Sequence, residues 1–278
     1  MKFSFNTLIY GDNELSIALQ DIAATGYDGI EIFPKDIPGS DGSQEIAPEL
    51  IKEIENRGLE VAAYMGGFLP GGEEISEETA YACEVCRALG ADILFQLAPD
   101  KATGKWREFI MSLQDMCDQA NKWNITVAIH HHTGTLVETV DEMLAMLREA
   151  DRPNLGICLD TAHCALFEKS VVESMKRLAS HIQYIHFKDL LPGIHYYDDV
   201  SRKSLVWDTF LSSIYERFVD LGDGSLNFEE IFENLVQDVG YDGWITVEIE
   251  PLRKKKEVHL QESLKIMRGL SKTAFTGG

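Results

Sequence analysis

Residues 125–151 read ITVAIHHHTGTLVETVDEMLAMLREAD. An apolar run, Ile125–Ile129, ends in three consecutive histidines. A Thr133–Gly134 turn follows, and then apolar residues return at helical spacing. The stretch predicts one strand followed by one helix. The strand is apolar almost throughout instead of alternating, as a parallel strand covered on both faces is.

The same unit recurs on both sides of it. Strand-like runs lie at 2–6 (KFSFN), 27–33 (YDGIEIF), 59–65 (LEVAAYM), 91–99 (ADILFQLAP), 154–163 (NLGICLDTAH), 181–189 (HIQYIHFKD) and 244–251 (WITVEIEP). Helical patterns follow each of them, at 13–26, 44–58, 76–90, 101–123, 165–180, 227–240 and 255–270. Gly26 and Gly58 stand where helices stop, and Ser76 with Glu77 and Glu78 where one begins. Eight strand–helix units in 278 residues predict an α/β fold, a single (β/α)8 TIM barrel over residues 1–278. A doubly wound sheet needs no eighth unit, and no GxGxxG follows any strand. One long insertion, Leu191–Asp223, interrupts the seventh unit; it reads as a lid, a subunit contact or a surface excursion.

Composition narrows the partners. The formal net charge is −21, which opposes nucleic acid and anionic membranes, because both are bound through Lys and Arg. No apolar run approaches the ~18–20 residues of a membrane span. The first residues, MKFSFNTLIYGDNEL, show no secretory signal, so a cytoplasmic protein is expected. The basic run at Arg253–Glu257 reads as a solvated helix start. The five cysteines, Cys83, Cys86, Cys117, Cys158 and Cys164, read as reduced, buried thiols; the CxxC at 83–86 lies mid-helix with no second pair to complete a zinc site.

In a barrel of this kind chemistry gathers where strands end. The polar residues at those ends are Glu31, Gln96, His130, His131, His132, Asp160, His163, His186, Lys188, Asp189, Glu248 and Glu250. Five of the eight histidines fall in this set. Successive strand side chains point to opposite faces, so His130 and His132 should share the barrel side and His131 the other. His130, Asp160, His186 and Glu248 together form a two-nitrogen, two-oxygen ligand set for one divalent ion. That set suits Mn, Fe, Co or Zn better than Mg. Asp189 is expected to cap the loop after the seventh strand.

At these residues the sequence resembles the xylose isomerase-like TIM barrels, the sugar phosphate isomerase/epimerase superfamily. The resemblance is carried by GYDGIEIF, CLDTAH, YIHFKD and LGDGSLNFEEIFENLVQDVGYDGWITVEIE, in that order over nearly the whole chain. It implies one divalent metal held by a Glu, an Asp, a His and a Glu at the ends of strands five to eight. Carried over, the last three are Asp160, His186 and Glu248, while His130 stands where the family usually has Glu. HHHTGT, LDTAH and GWITVEIE are most similar to the members that resemble inosose (2-keto-myo-inositol) dehydratases.

The resemblance implies a small-molecule keto-sugar or keto-cyclitol as substrate, and a homodimer or homotetramer. Family epimerases use two metal-bound glutamates, one on each face of the substrate. Exchanging one for His130 removes a carboxylate and makes the ion more electrophilic. That favours enolisation with loss of a β-hydroxyl over symmetric epimerisation. Glu31, Glu248 and His132 are the candidates for the base, and His163 or Lys188 for the acid; Lys188 is also a candidate cation for the enolate, and His163 a further ligand. Glu31, His132, His163 and Lys188 are thus the expected catalytic residues. The alternatives are a ketose isomerase or 3-epimerase of the same superfamily and, more remotely, a non-catalytic sugar or metal binder. A DNA repair endonuclease is opposed by the charge and by the absence of any histidine before His130.

Overall fold

The computed structural model describes the chain except residues 13, 38–47, 70–74, 194, 196–213, 250–252 and 277–278. Eight parallel strands close into a barrel: β1 Lys2–Asn6, β2 Gly29–Ile32, β3 Glu60–Phe68, β4 Ile93–Leu97, β5 Thr126–His130, β6 Leu155–Asp160, β7 Ile182–Phe187 and β8 Trp244–Val247. Each strand pairs with its sequence neighbours, and β1 closes the ring against β8. The principal helices of the outer layer are α1 Leu15–Thr25, α2 Pro48–Asn56, α3 Ile75–Leu89, α4 Trp106–Asn121, α5 Val140–Ala150, α6 Thr161–Phe167, α7 Val171–Leu178, α8 Phe228–Asn234 and α9 Lys256–Thr276. The TIM barrel expected from the apolar runs is the fold observed.

Most strand apolar groups face the helices. Ile30, Ile32, Val127, Ile129, Ile157, Leu159, Ile245 and Val247 are buried in one continuous core with α1, α4, α5 and α9. Burying each such side chain contributes about 1.5–3 kcal/mol. The barrel interior is smaller and more aromatic: Phe33, Ala63, Phe95, Ala128, Cys158 and Tyr184. Below them, Trp244 reaches across the floor. Gly29 permits this, since a Cβ there would lie 2.6 Å from the Trp244 ring and 2.7 Å from the Glu60 carbonyl.

Three local features differ from the expected pattern. The helix expected over 165–180 is two helices, because Ser170 accepts the Glu173 N–H and starts α7 afresh. The helix expected from 101 begins at Trp106, after a 3-10 turn that ends at Gly104 with φ 62°. The basic run at 253–257 is not wholly solvated: Lys254 is drawn to Asp220, Asp223 and Glu262 at 3.3, 2.8 and 2.8 Å.

Of the 191–223 insertion, residues 194 and 196–213 lie outside the described residues. Its far end returns to the barrel mouth. Phe218–Val219 pairs antiparallel with Asp189–Leu190, just after β7. As expected of a loop cap, the Asp189 carboxylate accepts the backbone N–H groups of Gly222 at 2.9 Å, Gly224 at 3.0 Å and Leu226 at 3.3 Å.

Candidate metal centre

Strand parity brings the four expected ligands together. His130 ends β5, Asp160 ends β6, His186 lies near the end of β7 and Glu248 directly follows β8. One ligand atom from each lies within 4.8 Å of all the others, and all four residues are buried. His130 Nε2 stands 3.7 Å from Asp160 Oδ2 and 3.9 Å from Glu248 Oε2; His186 Nδ1 is 2.5 Å from Glu248 Oε2. The first two separations are too long for hydrogen bonds. They suit ligands that share one ion, since donors about 2.1 Å from a common ion stand about 3–4 Å apart.

Hydrogen bonding singles out the same atoms. Among the described residues, His130 Nε2 and Asp160 Oδ2 are buried without a hydrogen-bond partner, and His186 Nδ1 meets only the Glu248 carboxylate. Buried polar groups are rarely left so, and two converging orphans beside a His–Glu pair fit a bound cation. The other oxygen of Asp160 is engaged, since Oδ1 accepts the His163 N–H at 2.7 Å and caps α6. Cys158 lies two residues before Asp160, beside His130 and His186, and offers a second possible grouping. Burial pushes its thiol up to about 12, so it stays protonated and is the poorer ligand.

Charge around the cluster is balanced by contact. Glu31 accepts from His186 Nε2 at 2.7 Å. Lys188 Nζ donates to Glu248 Oε1 at 2.6 Å. Burial opposes the Glu248 carboxylate, but Lys188 and His186 outweigh it and hold its pKa well below the ordinary range. For His186 burial likewise opposes the charged form, yet its pKa is raised well above the ordinary value. Because the neighbouring thiol is neutral, the Glu31 and Glu248 carboxylates carry that shift. Lys188 is fixed through its backbone: its N–H donates to Thr161 Oγ1 at 2.9 Å, and that hydroxyl donates to the Lys188 carbonyl at 2.7 Å.

Beside the cluster stand His132 and His163, their ring centres 4.1 Å apart. Burial, reinforced by His130, pushes His132 down to about 4, and burial takes His163 well below the ordinary value. Both are neutral near pH 7, and their hydrogen bonds assign the tautomers. His132 Nδ1 lies 2.6 Å from the Thr133 carbonyl, which can only accept, so Nδ1 carries the proton and Nε2 a free lone pair. His163 Nδ1 faces Thr133, whose backbone N–H donates to it at 3.4 Å and whose hydroxyl, 3.0 Å away, can donate as well; with Nδ1 accepting, the proton sits on Nε2, which has no partner among the described residues. The turn that positions both needs Gly134, whose φ is 98°.

The remaining sequence candidates separate. His131 accepts the Asp160 backbone N–H at 3.1 Å through Nε2 and so braces β6 behind the cluster. Gln96 alternates with the inward Phe95 and lies against Gly66, on the helix side. Glu250 lies outside the described residues. Three residues at the site lie outside the polar strand-end set: Cys158, expected only as a buried thiol, Asn6 at the end of β1, and Phe218, whose ring centre lies 4.2 Å from Lys188 Nζ and 5.1 Å from that of His163. Parity two residues before Asp160 would have found Cys158.

The molecule is therefore a TIM barrel with a buried two-histidine, two-carboxylate centre, suited to a divalent cation, at the C-terminal end of its strands. The chain belongs to the xylose isomerase-like TIM barrel family, whose model matches residues 19–270. It is 26% identical over 261 residues to an inosose dehydratase of Lactiplantibacillus plantarum, covering 86% of this chain and 82% of that one. It is 27% identical over 285 residues to an inosose dehydratase of Mesomycoplasma hyopneumoniae, covering 94% and 90%. Among solved structures, the IOLI protein with a binding zinc atom superposes with a TM-score of 0.76 at 18% identity, covering 99% of this chain and 100% of that one. Among the described residues no helix is long and apolar enough to cross a membrane.

Proposed function

We propose that this protein is a divalent-metal-dependent lyase that eliminates water from a keto-cyclitol or keto-sugar, with inosose as the substrate best matched. The single observation that carries this is the pairing of the four-ligand cluster with two neutral imidazoles of opposite hydrogen-bonding character beside it. The relatives named inosose dehydratase support the choice of substrate.

His130, Asp160, His186 and Glu248 hold the ion; the two carboxylates neutralise a dication, and the two nitrogens favour Mn, Co, Fe or Zn over Mg. When bound, such an ion supplies Lewis acidity to a carbonyl or hydroxyl oxygen. The protein's own groups do the rest. His132 Nε2 takes the proton from the carbon next to the carbonyl. His163 Nε2–H donates to the departing β-hydroxyl. The imidazolium of His132 returns its proton to that hydroxyl as the C–O bond breaks, giving one water and a carbon–carbon double bond conjugated with the carbonyl. Lys188 stabilises the negative charge that develops on oxygen. Glu31 orients His186 through its Nε2–H.

Mass spectrometry of the Mn-loaded protein incubated with inosose and a panel of ketoses tests this. Loss of one water from inosose is the expected result. Equal-mass conversion of a ketose, with inosose untouched, overturns it in favour of an isomerase or 3-epimerase. Binding without any conversion overturns it in favour of a sugar-binding protein.

A further inference from the structure

Asn6 is the last residue of β1 and is completely buried. Neither its Nδ2 nor its Oδ1 has a hydrogen-bond partner among the described residues. A primary amide offers two donors and one acceptor, and leaving them unmatched in a protein interior is costly.

Its direction follows from the strand. Ser4, two residues earlier, bonds Thr246 at 2.5 Å, and Thr246 in turn bonds Tyr184 inside the barrel. Asn6 shares the Ser4 face and so points to the barrel axis. The register places it level with two acidic groups. It pairs with Glu31 on β2, and because Phe5 pairs with Val247, the next residue on the β8 side is Glu248. Glu31 Oε1 is likewise buried and unpartnered. An unmatched amide and an unmatched carboxylate oxygen therefore lie on neighbouring strands, β1 and β2, with the β1 amide level with Glu248.

We infer that Asn6 is a substrate-positioning residue: its amide, with Glu31 Oε1, receives the hydroxyl groups of a polyhydroxylated substrate on the β1–β2 side of the metal centre. A hydroxyl both donates and accepts, so vicinal hydroxyls can answer amide and carboxylate together. The inference rests on the proposed polyol dehydratase function. It adds a specificity element on strands that supply none of the four ligands.

The test compares wild type, N6A and N6S, each Mn-loaded. It measures kcat and KM for inosose, calorimetric binding of inosose, Mn affinity and Tm. N6A is expected to raise KM and the inosose Kd by about tenfold to a hundredfold, leaving Mn affinity unchanged and Tm unchanged or higher, since it removes an unmatched buried group. N6S, which keeps a donor and an acceptor, should fall between; it carries the comparison should N6A not fold. A wild-type KM and Kd in N6A, or a lowered Tm with KM unmoved, overturns the assignment of Asn6. Failure of wild type to bind or convert inosose overturns the substrate instead, and the Asn6 comparison is then read on d-fructose. Binding of neither by wild type overturns both.

Discussion

The Glu31 carboxylate on β2 accepts a hydrogen bond from His186 Nε2 on β7, 2.7 Å away across the barrel mouth. This leaves His186 Nδ1 turned to Glu248 and the cluster. A carboxylate behind a ligating imidazole fixes ring orientation and raises its basicity. Glu31→Ala should therefore weaken metal binding by about 10- to 100-fold. Titration of the apo-protein with Zn against a competing chelator reads this directly; an unchanged affinity rules the orienting role out.

His132→Ala and His163→Phe should leave that affinity within a few-fold, because neither residue belongs to the ligand cluster. Each should lower kcat by about 10²–10⁴-fold, the usual contribution of a positioned acid or base. Steady-state kinetics on the metal-loaded variants checks both. A loss confined to KM would reassign the residue to binding.

Removing the metal should destabilise the fold, because the ligands are buried and His130 Nε2 and Asp160 Oδ2 have no other partner among the described residues. At a free metal concentration a hundred times Kd, the ion adds about 2.7 kcal/mol. For a chain of this size that is about 5–10 °C in Tm. Calorimetry with and without chelator measures the difference.

Burial pushes the Cys117 and Cys164 thiols up to about 12. The folded pKa is raised, so their contribution to stability is whole below the ordinary thiol value near 9 and is lost as pH climbs toward 12. Each thiol should cost up to about 1.4 kcal/mol per pH unit across that window. Denaturant unfolding at pH 8, 9 and 10 should show the decline beginning above 9. At pH 8 a thiol reagent should leave both untouched in the native chain and label both in guanidinium.

Gly224→Ala should loosen the loop at the barrel mouth. A Cβ there would lie 2.1 Å from Asp189 Oδ1 and 2.8 Å from the Leu190 carbonyl, and backbone cannot easily yield. A cost of about 1–3 kcal/mol is expected, read as a lowered Tm. The proximity of Phe218 to Lys188 also predicts a raised KM in this variant.

Much of this molecule was legible along the chain. Apolar runs such as Val127–Ile129 and Ile157–Leu159 mark strands because side chains on both faces of a covered parallel strand must be apolar. Polar residues that end such runs stand out for the same reason, so His130, Asp160, His186 and Glu248 were found one strand at a time. Other features carry local signals as well. Ser170 and Glu173 have the spacing of a helix start, and alternation from Phe95 already turns Gln96 away from the barrel. Asn6 continues the alternation of Lys2 and Ser4 in KFSFN, which turns it to the barrel side, but its lack of a partner is visible only in the folded chain.

Periodicity and residue type are local properties, so the strands, the helices and the kinds of chemistry at their ends are written along the chain. Only the closed barrel decided which of those groups meet. Register across β8, β1 and β2 sets Glu248, Asn6 and Glu31 side by side, although they are as much as 242 residues apart in the chain. The hydrogen-bonding state of His163 is tertiary in the same sense, whereas His132 bonds the next residue in the chain. His163 meets Thr133, 30 residues away, because β5 and β6 pair side by side.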